Sequence, residues 1–461
     1  MATTSESDQS VSVSSIDDLL EPFYSACKPP SAFRVGTEAE KFGWIIGDGS
    51  DSQRPLPFKG TPGVQWVLYG LAERFGWKAE REVPEGEIIA LLRGQSSITL
   101  EPAGQLELSG APHASIHAVA DEFDQHFSEL HAVCEASQLT WLSLGFHPFA
   151  VHGDLPRVPK LRYPIMERYL PTRGPRGLDM MRRTCTVQAN LDFASEADAI
   201  RKLRIGLALQ PIVTALFANS PLYEGHLTER ASERALVWLG MDPDRSGMLP
   251  FAWERDMSFR SYAEWALDVP MFLIKRGDHV IENTQQTFRA FMRDGCRGER
   301  ATLTDWRTHL NTLFPEARLK NTLEMRGADA QSRALTPALP ALWKGLLYDD
   351  TAQTQAESLI SQLTAATVTA LRPEVAKQGL RAQLLGRPLY SWASDVLKIA
   401  RGGLERLNVQ NERGANEAIY LEGLEALVRK ERCPADALRA ALQGVSDPRE
   451  LRDRVVQLAS A

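Results

Sequence analysis

Apolar and polar positions alternate on both sides of a turn at residues 97–110, which read S-I-T-L-E-P-A-G-Q-L-E-L-S-G. Ile98 and Leu100 alternate with Thr99 and Glu101, and past a Pro-Ala-Gly turn Leu106 and Leu108 flank Glu107. Period two on both sides of a turn predicts two short strands, each with one apolar and one polar face. Antiparallel pairing can place Glu101 and Glu107 on the same polar face, with no Lys or Arg adjacent in sequence to neutralise them. Two carboxylates aimed at one place call for cations; a solvated hairpin carrying Glu outward fits the same pattern. Residues 33–44, F-R-V-G-T-E-A-E-K-F-G-W, form a second alternating run, with Gly36, Glu38 and Glu40 on one face and Val35, Thr37 and Ala39 on the other. Residues 184–193 form a third, turning Thr184, Thr186, Gln188, Asn190 and Asp192 to one side. A fourth, at 322–329, carries Glu324 and Arg326 on one face.

Period-3.6 patterns separate these runs. They predict helices at 16–27, 62–75, 112–138, 196–219 and 231–239, and almost continuous helix from residue 351 onward. Strands are also expected at 88–92 and 141–146. The Pro- and Arg-rich stretch 148–175 reads as a long loop of the kind that covers a substrate. His113 and His117 sit one turn apart, at metal-ligand spacing, but without a third ligand in view.

Composition narrows the class. The 461 residues carry a net charge of -7 without long single-sign blocks, which argues against a nucleic-acid or membrane partner. Five cysteines, odd in number and without a C-x-x-C pair, fit free thiols in a reducing cytoplasm. The first sixteen residues are Ser/Thr-rich without Lys or Arg, unlike a signal or transit peptide. The best apolar run, 205–218, contains Gln210 and Pro211 and falls short of the roughly 20 residues a bilayer needs. The expectation is a cytoplasmic monomer or homodimer acting on small molecules, with a disordered tail at 1–15, a catalytic unit at 16–350 and a helical region at 351–461.

The polar faces of these strands together offer Glu38, Glu40, Glu101, Glu107, Gln188, Asn190, Glu324 and Arg326. Oxygen ligands without His or Cys favour Mg or Mn over zinc, and Mg with open positions commonly works on nucleotide phosphates. The chain has neither a G-x-x-x-x-G-K-[ST] loop nor a G-x-G-x-x-G turn, so a nucleotide site must be of another type.

Longer motifs then become recognisable: G-T-E-A-E-K-F-G from Gly36, L-E-P-A-G-Q-L-E-L-S-G-A-P from Leu100, and G-L-D-M-M-R-R-T-C-T-V-Q-A-N-L-D-F from Gly177. G-L-A-L-Q-P-I-V-T-A-L-F-A-N-S-P from Gly206 and L-E-M-R-G-A-D from Leu323 follow in order. From about residue 16 to 405 the sequence resembles the plant- and proteobacterial-type glutamate–cysteine ligases. The resemblance implies an α+β, glutamine-synthetase-like fold, with a curved antiparallel sheet forming a funnel covered by helices. It also implies ATP-dependent phosphorylation of glutamate and transfer of the γ-glutamyl group to cysteine, the first step of glutathione synthesis. Two or three Mg ions (Mn is possible) would be held by Glu38, Glu40, Glu101, Glu107, Gln188 and Glu324. Arg326 and Glu38 are expected in the chemistry, and Arg234, Asn190 and Tyr169 in substrate binding.

Three stretches depart from the family pattern. Trp238 is followed by L-G-M-D, Ala330-Gln331-Ser332-Arg333 replaces G-G-P-W, and Pro159-Lys160-Leu161-Arg162-Tyr163 replaces P-K-G-R-Y. These leave a different amine acceptor open, and a non-catalytic glutamate or nucleotide sensor as a further alternative. Asn283 stands where plant members carry a cysteine, leaving Cys296 alone, which implies no thiol switch.

Overall fold

The computed structural model describes residues 11–47, 53–135 and 137–460. Its centre is an antiparallel sheet of ten strands: β1 (Val35–Ile45), β2 (Arg54–Pro55), β3 (Lys78–Arg81), β4 (Ile88–Arg93), β5 (Ser96–Leu100), β6 (Leu106–Ser109), β7 (Leu139–Leu142), β8 (Thr186–Leu191), β9 (Ala317–Leu319) and β10 (Leu323–Asp329). The order across it is β9-β10-β8-β1-β6-β5-β4-β3, with β2 and β7 pairing the far end of β1. The long first strand is therefore the hub.

Register decides which side chains share a face. Glu38 lies opposite Gln188 and Ser109, Glu40 opposite Glu107, Glu107 opposite Thr99, and Asn190 opposite both Gly36 and Glu324. Directly opposed residues project to the same side, so the polar positions of four alternating runs form one surface. The apolar set, among it Val35, Ala39, Ile98, Leu108, Val187, Ala189 and Met325, is buried on the other side. Helices α1 (Ile16–Tyr24), α2 (Val64–Phe75), α3 (Ile116–Cys134), α4 (Arg162–Tyr169), α5 (Gly177–Arg183), α6 (Glu196–Leu216) and α7 (Glu233–Leu239) surround the sheet, α6 and the helix Ala338–Leu347 lying on its apolar side. Ser115, Ser195 and Ser232 cap α3, α6 and α7 by accepting a backbone N–H three residues on, which sets where each helix starts.

Several expectations change. The stretch 148–175 is no featureless loop: it holds α4 and two short 3₁₀ turns, because Tyr163, Ile165, Met166 and Leu170 find a core to bury against. The strand expected at 141–146 is shifted to β7, with Phe146 keeping only a single bridge to Thr184. Of the tail expected to be disordered, residues 1–10 lie outside the described residues. Val11 to Val13 run beside Ala301 to Leu303, with Val13 buried. Toward the C-terminus, the helix Ala365–Gln378 packs on α6 and α7, and Leu389–Leu407 crosses Ala338–Leu347. Among the described residues no helix is long and apolar enough to cross a membrane.

Candidate active site

The carboxylates converge from the centre of the sheet and are tethered mainly by neutral donors. Asn190 Nδ2 donates to Glu38 Oε1 at 3.0 Å, and the Thr186 amide donates to Glu40 Oε2 at 3.0 Å. Glu107 accepts from Thr99 at 3.0 Å and from Ser109 at 2.6 Å. Glu101 follows β5 in a turn whose Leu100 carbonyl accepts from both Lys160 Nζ and the Tyr163 hydroxyl, each at 2.7 Å. Gln105 ties the same turn to the carbonyls of Met181 and Thr184.

Electrostatics divides this set in two. Burial, then the charges of Glu324 and Glu107, pushes the Glu38 carboxyl above its ordinary range. Burial, then Glu101 and Glu107, pushes Glu40 well above it. Like charges crowded in a low dielectric raise each other's pKa unless a cation intervenes. Glu324 is the opposite case. Burial alone would raise it, yet Arg318, Lys320 and Arg326 hold it well below the usual carboxylate range. Arg318 grips it with bonds of 2.8 Å from one guanidinium nitrogen to both oxygens, Lys320 lies 2.6 Å away, and Arg326 donates to it as well as to Gln188 Oε1 at 2.8 Å. Among the described residues no three His, Cys, Asp or Glu side chains close into a ready cage. The donor set nevertheless fits a hard divalent cation: all oxygen, largely buried, and short of positive charge around Glu38 and Glu40.

A second arrangement lies where β10 bulges. Its pairing with β8 slips between Met325 and Ala328, so Arg326 and Gly327 form the extra turn of chain. A side chain at Gly327 would meet the side chains of Gln210 and Thr214, so the strand passes close to α6 here. Asp329, fully buried just beyond, accepts from the Asn219 amide and the hydroxyls of Ser220 and Ser232 at 2.7–2.9 Å. That knot fixes the start of α7 and hence Arg234, whose guanidinium donates to the Arg326 carbonyl at 2.8 Å. Arg234, Trp238, Phe314, Glu316, Arg326 and Arg372 are among the residues lining a small pocket beside the bulge.

The site residues expected from sequence are thus distributed unevenly. Glu38, Glu40, Glu107, Gln188, Asn190, Glu324 and Arg326 share one face, Glu101 sits at its edge, and Arg234 adjoins it. Asn190 spends its amide on Glu38 and accepts from Thr322 at 3.2 Å, so it orients a carboxylate. Tyr169 packs on Phe272 and under Arg245, and is not among the residues lining the pocket. His113 pairs with Glu122 at 3.0 Å and His117 with Tyr420 at 2.9 Å, so the two histidines serve separate contacts. Sequence reasoning assigned no site role to Lys160, Tyr163, Glu316, Arg318, Lys320 or Arg372. Lys160 and Lys320 lie outside the periodic elements, although P-K-x-R-Y was visible as a motif.

An antiparallel sheet with a carboxylate-lined polar face and helices behind it is the architecture expected of a glutamine-synthetase-like fold. The crystal structure of a glutamate–cysteine ligase from Francisella tularensis in complex with AMP matches it with a TM-score of 0.52 at 11% identity, over 93% of this chain and 88% of that one. The profile of glutamate-cysteine ligase family 2 (GCS2) matches residues 34–457. The chloroplastic glutamate–cysteine ligase of Arabidopsis thaliana is 44% identical over 432 residues, 93% of this chain and 80% of its own length. That of Medicago truncatula is 43% identical, over 93% and 82%. The chain belongs to glutamate-cysteine ligase family 2.

Proposed function

We propose that this chain joins L-glutamate to L-cysteine at the expense of ATP, giving γ-glutamylcysteine. One observation carries the reading most directly: the strand register assembles Glu38, Glu40 and Glu107 on one face, where Arg326 bonds Gln188 and Glu324. The chemistry needs that arrangement. A γ-carboxylate oxygen of glutamate attacks the terminal phosphorus of ATP, ADP leaves, and γ-glutamyl phosphate forms. The amino group of cysteine then attacks its carbonyl carbon, the C–O bond to phosphate breaks, and the ammonium proton is lost. Phosphoryl transfer depends mainly on positioning and charge neutralisation. Arg326 would offer its planar fork to phosphoryl or carboxylate oxygens, and Arg234 would bind the α-carboxylate. Glu38, Glu40, Glu101, Glu107, Gln188 and Glu324 would hold two or three Mg ions, which when bound would offset the charge of the polyphosphate. For Glu324 this requires partial release from Lys320 or Arg318.

The test is phosphate release from Mg-ATP with L-glutamate, with and without L-cysteine, followed by mass spectrometry of the product. Cysteine-stimulated release with γ-glutamylcysteine formed is the expected result. Stimulation by another amine instead would move the acceptor, as the altered loops allow. No release with any amine would leave the sensor. Glu38→Gln is expected to lower turnover by at least roughly a hundredfold, by analogy with the loss of one electrostatic group in a preorganised site. Near-normal turnover in that variant would remove Glu38 from the metal set.

A further inference from the structure

Behind the bulge of β10 stands a buried polar side chain without a partner. Gln210 of α6 is 1% exposed, and neither its amide nitrogen nor its amide oxygen makes a hydrogen bond. An orphaned polar group inside a packed protein costs stability, and a cost that persists calls for a reason. The Gln210 amide abuts Gly327, where a Cβ on the glycine would collide with it. At the same level the α6 ladder is interrupted, because Pro211 has no N–H to offer the Leu207 carbonyl. A bulged strand and a broken helical ladder thus face each other across one unpaired amide.

The bulge also carries Arg326. Its Nη1 donates to Gln188 Oε1 at 2.8 Å and to Glu324 Oε1, on two of the side chains proposed to hold Mg. A guanidinium beside those oxygens repels a divalent cation, so metal binding requires Arg326 to withdraw. Arg326 and Gly327 lie between the paired positions Met325 and Ala328, so they can shift while the ladder on either side holds. In the present arrangement other donors hold them: Arg234 on the Arg326 carbonyl at 2.8 Å and Thr214 on the Gly327 carbonyl at 3.0 Å. The Gln210 amide takes no part.

We propose that Gln210 is a positioning residue for a second arrangement of the bulge. Its amide bonds the bulge backbone once Arg326 leaves Glu324 and Gln188, and so fixes Arg326 where it meets the transferring phosphoryl group. The unpaired amide destabilises the first arrangement and thereby favours the second. Gln210 itself does not touch substrate. The inference rests on the ligase reading and adds how Arg326 passes from the metal ligands to the reacting phosphate.

Gln210→Met, nearly isosteric and unable to form the bond, tests this, with Gln210→Leu as a second apolar variant of different shape. Without ligands the thermal unfolding midpoint should rise by about 1 °C or more, since an orphaned amide is removed. Added MgCl2 and ADP should raise the midpoint less than in wild type, because the second arrangement has lost a bond. In the phosphate-release assay kcat should fall about tenfold or more, with KM for L-glutamate unchanged within about twofold. A midpoint that falls together with activity would make Gln210 an ordinary core residue and overturn the proposal. So would an unchanged kcat, or a shift with MgCl2 and ADP that is absent in wild type or equal in both proteins. A wild type that releases no phosphate with any amine would sink the ligase reading alone. The unfolding comparisons would then still decide the role of Gln210.

Discussion

Glu324 and Glu40 are both carboxylates on one sheet face, yet their surroundings make them opposites. Glu40 gains charge-bearing neighbours of its own sign, whereas Glu324 is fully buried among Arg318, Lys320 and Arg326. Arg318 also donates to the carbonyls of Asn311 and Leu313, both at 2.9 Å, so it braces the chain that leads into β9. Breaking one partner of a buried ion pair leaves charge uncompensated, and such changes typically cost about 3–5 kcal/mol. Arg318→Met is therefore expected to destabilise the protein by about 3 kcal/mol, read by urea unfolding. A loss below about 1 kcal/mol would show that Lys320 and Arg326 suffice for Glu324. Glu324 and its partner Arg326 were recognisable in L-E-M-R-G-A-D, but its other two cations were not. Arg318 and Lys320 lie just upstream in A-R-L-K-N-T, where nothing in the residue pattern marks them as pointing inward.

The elements that place these side chains divide into those with a period and those without. Strands β1, β6, β8 and β10 were legible because one face of each had to be apolar, and a register slip would exchange the faces. The bulge in β10 was not legible, since it depends on how closely Gly327 approaches α6. Nor was the turn at residues 147–150. His147 Nδ1 accepts from the amides of Ala150 at 3.0 Å and Phe149 at 3.3 Å, so the ring is the neutral Nε2–H tautomer. Burial, reinforced by Arg183, lowers its pKa to about 3. An unfolded His titrates near 6.5, so between those values the unfolded chain binds a proton that the folded one does not. Stability should accordingly fall as pH drops from about 6.5 toward 3. His147→Asn keeps an acceptor for those amides and removes the titration. Unfolding measured at several pH values should show a flatter acid limb in the variant, and parallel limbs would argue that His147 does not titrate in this way.

At the scale of the molecule, the C-terminal helices belong to the site's architecture. The helices Ala338–Leu347 and Leu389–Leu407 cross at Gly345 and Gly403, where a methyl group on Gly403 would collide with the Gly345 carbonyl. Close backbone contact of this kind tolerates no added carbon without a shift of one helix. Gly403→Ala is expected to cost about 1–3 kcal/mol in thermal or urea unfolding. An unchanged midpoint would mean that the crossing can open without loss. The same region sends Arg372 to the pocket, where it pairs with Glu316 of the turn before β9. Much of this was decided before folding. Alternation and periodicity in the sequence determined the central strands and most of the helices, which strand faces carry the carboxylates, and, through long motifs, the family. Those are local properties, because side-chain direction along a strand or helix repeats at a constant interval. Only the tertiary structure decided which carboxylates meet cations and which meet each other, that Asn190 orients Glu38, and that Glu316 pairs with an arginine 56 residues away. Such pairings depend on distances between elements remote in sequence, and no local pattern encodes a distance.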